Sequence, residues 1–97
     1  MIKRIPVSGR HNTKFYALID AADFELVSRY SWRTSQHGYA RTEVTVNGKR
    51  AIVWMHRLIM NCPADMVVDH ANRLPLDNRR HNLSIVTQAH NMGLSRT

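Results

Sequence analysis

The dipeptide Asn47-Gly48 constrains this chain more than any other pair of neighbours. Both residue types accept positive φ at low cost, which a two-residue hairpin turn requires. The run from Gly38 to Val46 alternates polar and apolar residues, and Arg50 to Trp54 can return as its partner strand. The same grammar of short runs and turns appears earlier. Residues 2–7 and 14–19 each read as a strand, with Ser8-Gly9-Arg10-His11-Asn12 as the turn between them. Asp20 then stands where an N-cap belongs, and Asp23 falls in the first turn, near the positive end of a helix. Phe24, Leu26, Val27 and Tyr30 supply an apolar face, so a helix is predicted over 21–29. Trp32 opens a second sheet region.

The last third is built differently. Met55 to Met60 predicts a short helix stopped ahead of Pro63. Met66-Val67-Val68 reads as a strand running into Asp69-His70, and a polar stretch from Asn72 to Asn82 follows. Leu83 to Val86 is a second short strand, and Thr87 can cap a final helix over 88–94. Strand, loop, strand and helix in that order make a ββα unit. No linker separates it from the first half. The expected class is therefore α+β in a single domain, 1–97, with a β-rich subregion over 1–53 and the ββα subregion over 54–97.

Charge narrows the partners. Of 97 residues, fourteen are Lys or Arg and seven are Asp or Glu, a net +7, and eleven of the fourteen are Arg. The planar guanidinium fork suits phosphate, and these residues run through the whole chain, so nucleic acid is the favoured partner. Arg33, Arg41, Lys49, Arg50, Arg57, Arg73, Arg79 and Arg80 are the expected DNA contacts. The single cysteine, Cys62, excludes an internal disulfide and a zinc site of paired cysteines. No apolar run approaches the ~20 residues of a membrane span, and the N-terminus has no apolar stretch behind its charges to make it a signal peptide. A reduced, cytoplasmic protein is expected, in a bacterial or phage-infected cell.

Asp69-His70, Asn82 and His90-Asn91 are the residues that suggest chemistry. Phosphodiester hydrolysis requires that a water lose a proton, that charge on the phosphate be stabilised, and that the leaving oxygen be neutralised. A divalent cation held by one carboxylate and one amide oxygen meets the last two needs. Such a sparse ligand set suits Mg²⁺, with Mn²⁺ as its substitute. Asp69 and Asn91 are the candidate ligands. His90 stands beside Asn91, and either can face the metal. His70 is the candidate general base, since histidine titrates near neutrality, and Asn82 offers an amide oxygen to orient its ring.

Asn82 lies thirteen residues after Asp69, and Asn91 twenty-two after it. This spacing, with Trp54-Met55-His56-Arg57-Leu58-Ile59-Met60, Val67-Val68-Asp69-His70 and Leu76-Asp77-Asn78-Arg79-Arg80-His81-Asn82-Leu83, resembles the His-Asn-His (HNH) endonucleases of phages and introns over about residues 54–91. The resemblance implies a ββα-metal fold in which His70 is the base, Asp69 and Asn91 hold the metal, and Asn82 orients the base. It implies nicking of double-stranded DNA by a monomer or homodimer. The Tyr16-Ala17-Leu18-Ile19-Asp20 and Tyr39-Ala40-Arg41 segments are similar to the small antiparallel sheet with one helix of AP2-like DNA-binding domains. One departure concerns the loop after His70, where Arg73 occupies a glycine-like position.

The remaining candidates have plainer expected roles. His56 is expected to brace its helix against the ββα unit, Trp32 and Trp54 to lie in the core, His11 and His37 to be solvated, Cys62 to pack, and His81 to point away from the metal. The competing reading is a basic DNA- or RNA-binding module that keeps the fold without turnover.

Overall fold

Strand β1 (Ile2–Ser8) turns back as β2 (Lys14–Asp20), paired antiparallel from Ile2↔Asp20 to Ser8↔Lys14. The pleat sends Ile5 and Val7 to one face together with Ala17 and Ile19, all buried. The computed structural model describes residues 1–89. The turn is a single 3₁₀ turn at Arg10–Asn12, closed by the Gly9 N–H donating to the Thr13 carbonyl at 2.7 Å.

The helix predicted over 21–29 is shorter. A 3₁₀ turn at Ala21–Asp23 precedes α1 (Phe24–Val27). Asp20 makes no capping bond; its carboxylate accepts the backbone N–H of Arg80 at 3.0 Å. The chain then bends so that Trp32 Nε1 donates to the Val27 carbonyl at 2.8 Å and Trp32 enters the core, 4% exposed. Tertiary demands on Asp20 and Trp32 thus shorten the helix from both ends.

Trp32 does not open a separate sheet. Strand β3 (Trp32–Thr34) pairs parallel to β1 through Val7↔Trp32 and antiparallel to β4 (Ala40–Val46) through Arg33↔Arg41. β4 continues into β5 (Lys49–Trp54) across Asn47 and Gly48, at φ 52° and 78°. The result is one five-stranded sheet in the order β2-β1-β3-β4-β5, mixed where an antiparallel sheet was expected. Pro6, which cannot donate a ladder bond, lies just outside the β1–β3 pairing.

Helix α2 (Met55–Met60) follows β5 directly and ends at Asn61, which takes the left-handed cap conformation at φ 50°. It buries Met55, His56 and Ile59. Strands β6 (Met66–His70) and β7 (Leu83–Thr87) form a separate antiparallel pair, Met66↔Thr87 to His70↔Leu83. Leu83 joins the core of Ile5, Val7, Ile19, Val27 and Met55, so hairpin and sheet share one interior. The loop between β6 and β7 is tied to β2: Leu18 N–H donates to the Leu76 carbonyl and Asn78 N–H to the Leu18 carbonyl, both at 2.8 Å. The architecture is α+β. Residues 88 and 89 begin a helix, and the rest of the helix predicted over 88–94 lies outside the described residues.

Candidate active site

β6 ends on Asp69 and His70, and strand alternation sends them to opposite faces. His70 points inward and is buried. Its Nε2 lies 2.8 Å from Asn78 Oδ1. An amide oxygen only accepts, so in this arrangement Nε2 carries a ring proton, and in the neutral ring the lone pair then falls on Nδ1. A neutral imidazole with that lone pair free is the form a general base requires. Asn78 is wholly buried, and its backbone bond to Leu18 fixes where its side chain starts. The other end of its amide, Nδ2, is buried without a partner among the described residues.

The ring partner expected at Asn82 is therefore Asn78, and no bond joins Asn82 to His70. Asn82 is buried and clamps the loop instead. Its Oδ1 accepts the Asn72 N–H at 3.0 Å, and its Nδ2 donates to Asn72 Oδ1 and the Asp77 carbonyl, both at 2.9 Å. Asn72 in turn donates to Asp77 Oδ2 at 2.7 Å, and Arg79 donates to both Asp77 oxygens at 2.7 and 2.6 Å. The Arg79 guanidinium, foremost, holds the Asp77 carboxyl down at about 2, with Asn72 adding to it. Nothing in the sequence separates Asn72, Asn78 and Asn82 by type. Only the path of the loop over β2 selects Asn78 to meet the ring.

Two more rings flank His70, and a third packs against one of them. Tyr39 and His56 lie 5.6 and 5.2 Å from it, centroid to centroid, and Trp54 lies 6.2 Å from His56. His56 is buried, as its bracing role predicts, and its Nδ1 has no partner among the described residues. Burial pushes its pKa from 6.5 to about 3, helped by the nearby His70 and Arg57. His56 is thus a neutral neighbour of the candidate base. Trp54, expected in the core, is half-buried and lines an open cleft.

Asp69 is half-buried, and its carboxylate makes no hydrogen bond or ion pair among the described residues. Unengaged carboxylate oxygens at the end of a strand are chemically fit for a hard divalent cation. No group of three His, Cys, Asp or Glu side chains with metal-binding geometry occurs among the described residues. His90 and Asn91, the expected second ligand position, lie outside them.

The eight expected DNA contacts divide. Arg57 donates to the carbonyls of Met66 and Pro63 at 2.9 and 2.8 Å. Arg79 is held by Asp77, and Arg80 by Asp23, with a further bond to the Ile59 carbonyl. These three guanidiniums fasten loops. Arg33, Arg41, Lys49, Arg50 and Arg73 have no side-chain partner among the described residues. Arg73 takes the left-handed backbone at φ 61°, so the loop bends as it would around glycine.

Residues 53–93 match the family model described as HNH endonuclease. No curated protein and no solved structure matches the chain.

Proposed function

From the match of residues 53–93 to the HNH endonuclease family model, we propose that the chain is a metal-dependent DNA endonuclease that nicks double-stranded DNA. The observation that carries the proposal is the pairing of His70 Nε2 with Asn78, which leaves Nδ1 free to accept a proton. In this reading a water beside His70 gives its proton to Nδ1 while its oxygen attacks the phosphorus of a phosphodiester. The bond from phosphorus to the leaving oxygen breaks as the new one forms. Asn78 keeps the ring in the accepting tautomer, and the Asn82 clamp holds the loop that carries Asn78. Asp69 and Asn91 would hold a divalent cation, Mg²⁺ or Mn²⁺, which supplies positive charge at the phosphate and leaving oxygen when bound.

Residues 1–53 act as a β-rich, AP2-like DNA-binding part and 54–97 as the catalytic part. Arg33, Arg41, Lys49, Arg50 and Arg73 bind the DNA backbone. A monomer with one such base cuts one strand per encounter, and a homodimer cuts both. A phage or homing role in the cytoplasm fits this chemistry. The described residues contain no helix long and apolar enough to cross a membrane.

The test is incubation of supercoiled plasmid with the purified protein in Mg²⁺, Mn²⁺ or chelator. Open circles should accumulate with either metal and not with chelator. Tight DNA binding with no cutting under any metal would leave the non-catalytic binding module as the better reading.

A further inference from the structure

Beside His70 lies an open cleft of about 630 Å³ that the hydrolysis described above does not use. Tyr39, Ile52, Trp54, Val67 and Val68 give it mostly apolar walls, and Arg41 also lines it. Tyr39 packs against both Trp54 and His70, at 6.3 and 5.6 Å between centroids. The cleft is thus one ring away from the candidate base. A second, more polar cavity of about 760 Å³ is lined by Arg10, Arg33 and Arg41, together with Phe15. The two cavities share Ser35, Gln36 and Arg41 in their linings, so they adjoin as two parts of one basic-to-apolar surface groove. None of the three arginines has a side-chain partner among the described residues.

A duplex backbone offers phosphates and sugars to a basic surface and has no use for an apolar recess. An unpaired base does, because its π-face stacks on an aromatic ring whatever its identity. Three free guanidiniums leading to an aromatic recess match a strand that keeps its phosphates on the arginines and turns a base inward. We propose that this groove binds DNA in which a base next to the scissile phosphate is unpaired, stacked on Trp54, with the flanking phosphates on Arg10, Arg33 and Arg41. The inference rests on the nuclease reading for its substrate and deepens it. The preferred site of cutting becomes a bubble, a mismatch or a single-stranded junction.

The experiment measures binding of the full chain, in EDTA so that no strand is cut, to three probes. These are a 15-nucleotide oligo-dT, a matched duplex, and the same duplex with a three-base bubble. Trp32 is buried, so quenching of tryptophan fluorescence reads Trp54. Oligo-dT and the bubble should quench it. Trp54→Leu should weaken both by on the order of tenfold, leave the matched duplex within twofold, and be largely rescued by Trp54→Phe. Ile52→Glu changes an exposed side chain of the cleft and should weaken the same two probes even if Trp54→Leu does not fold. Equal affinity of both variants and wild type for oligo-dT, or equal loss on all three probes, would overturn the proposal. Plasmid nicking by the same preparations keeps the two readings apart. Nicking without a Trp54 effect removes the cleft and leaves the nuclease, whereas oligo-dT binding without nicking does the reverse.

Discussion

At the scale of single residues, the site depends on which atom faces His70. Asn78 is the direct partner and Asn82 acts at one remove, through Asn72 and Asp77. His70→Ala should retain DNA affinity and lose ~10²–10⁴ in single-turnover nicking, the usual cost of removing a positioned base. Asn78→Ala should slow nicking more than its effect on melting would explain, because the ring loses its tautomer restraint. Asn82→Ala should lower melting temperature and rate together. Nicking at wild-type rate in Asn78→Ala would show that the ring needs no such partner. His56 carries a separate consequence. Its pKa falls from 6.5 unfolded to about 3 in the fold, chiefly by burial. The unfolded chain therefore binds a proton that the native state refuses below pH 6.5. Stability from this group is complete above pH 6.5 and declines as pH falls toward 3, by up to about 1.4 kcal/mol per unit. Asp77, depressed from 3.8 to about 2, acts in the same direction but only below pH 3.8. Urea denaturation at pH 7 and pH 5 should show the loss in wild type and little of it in His56→Leu, which also removes the unpartnered Nδ1.

At the scale of elements, the β6–β7 loop is fastened to the first half of the chain by charge as well as by backbone. Arg80 reaches across to Asp23, with bonds of 2.8 and 3.0 Å, and its own N–H meets Asp20. Asp23 is 4% exposed, so removing its partner strands a buried carboxylate. Arg80→Ala should cost about 1–3 kcal/mol, the range for leaving a buried polar group unpaired, because the Arg80 side chain is 53% exposed and water screens the pair, while lowering DNA affinity little. Thermal melting and a duplex titration on the same variant decide this. A loss of affinity with unchanged melting would return Arg80 to the DNA contacts that its sequence position suggested.

At the scale of the whole molecule, the net +7 is less available to DNA than its count implies. Removing Arg57, Arg79 and Arg80 from the eight expected contacts leaves five. Each neutralised phosphate contributes about 0.9 to the fall of log K with log salt. A slope of about −4.5 is expected, which costs roughly two to three decades of affinity between 50 and 200 mM salt. A slope near −7 would mean that the fastened arginines are released on binding, and a flat response would remove Arg–phosphate pairing as the main source of affinity.

Local chemistry determined a good deal of this protein. Asn47-Gly48 dictated its hairpin because few residue pairs tolerate positive φ at both positions. The alternation in residues 2–7 and 14–19 and the Met55–Met60 helix emerged nearly as read, since each depends on neighbours within one turn or pleat. The strand that ends on Asp69 and His70 was legible for the same reason, as was the likeness to the HNH family model over residues 53–93. Whatever depended on a distant partner was decided only by the tertiary structure. The β1–β3 pairing joins Val7 to Trp32 and makes one mixed sheet, and no local signal announces a parallel neighbour. Asp20 looked like a helix cap because its target, the Arg80 amide, is sixty residues away. Three arginines looked free because a guanidinium's partner is set by where loops return. Asn78 could not be told from Asn72 or Asn82 by type. It became the partner of His70 when the loop crossed β2 at Leu18, because a hydrogen bond selects by position in space and not by distance along the chain.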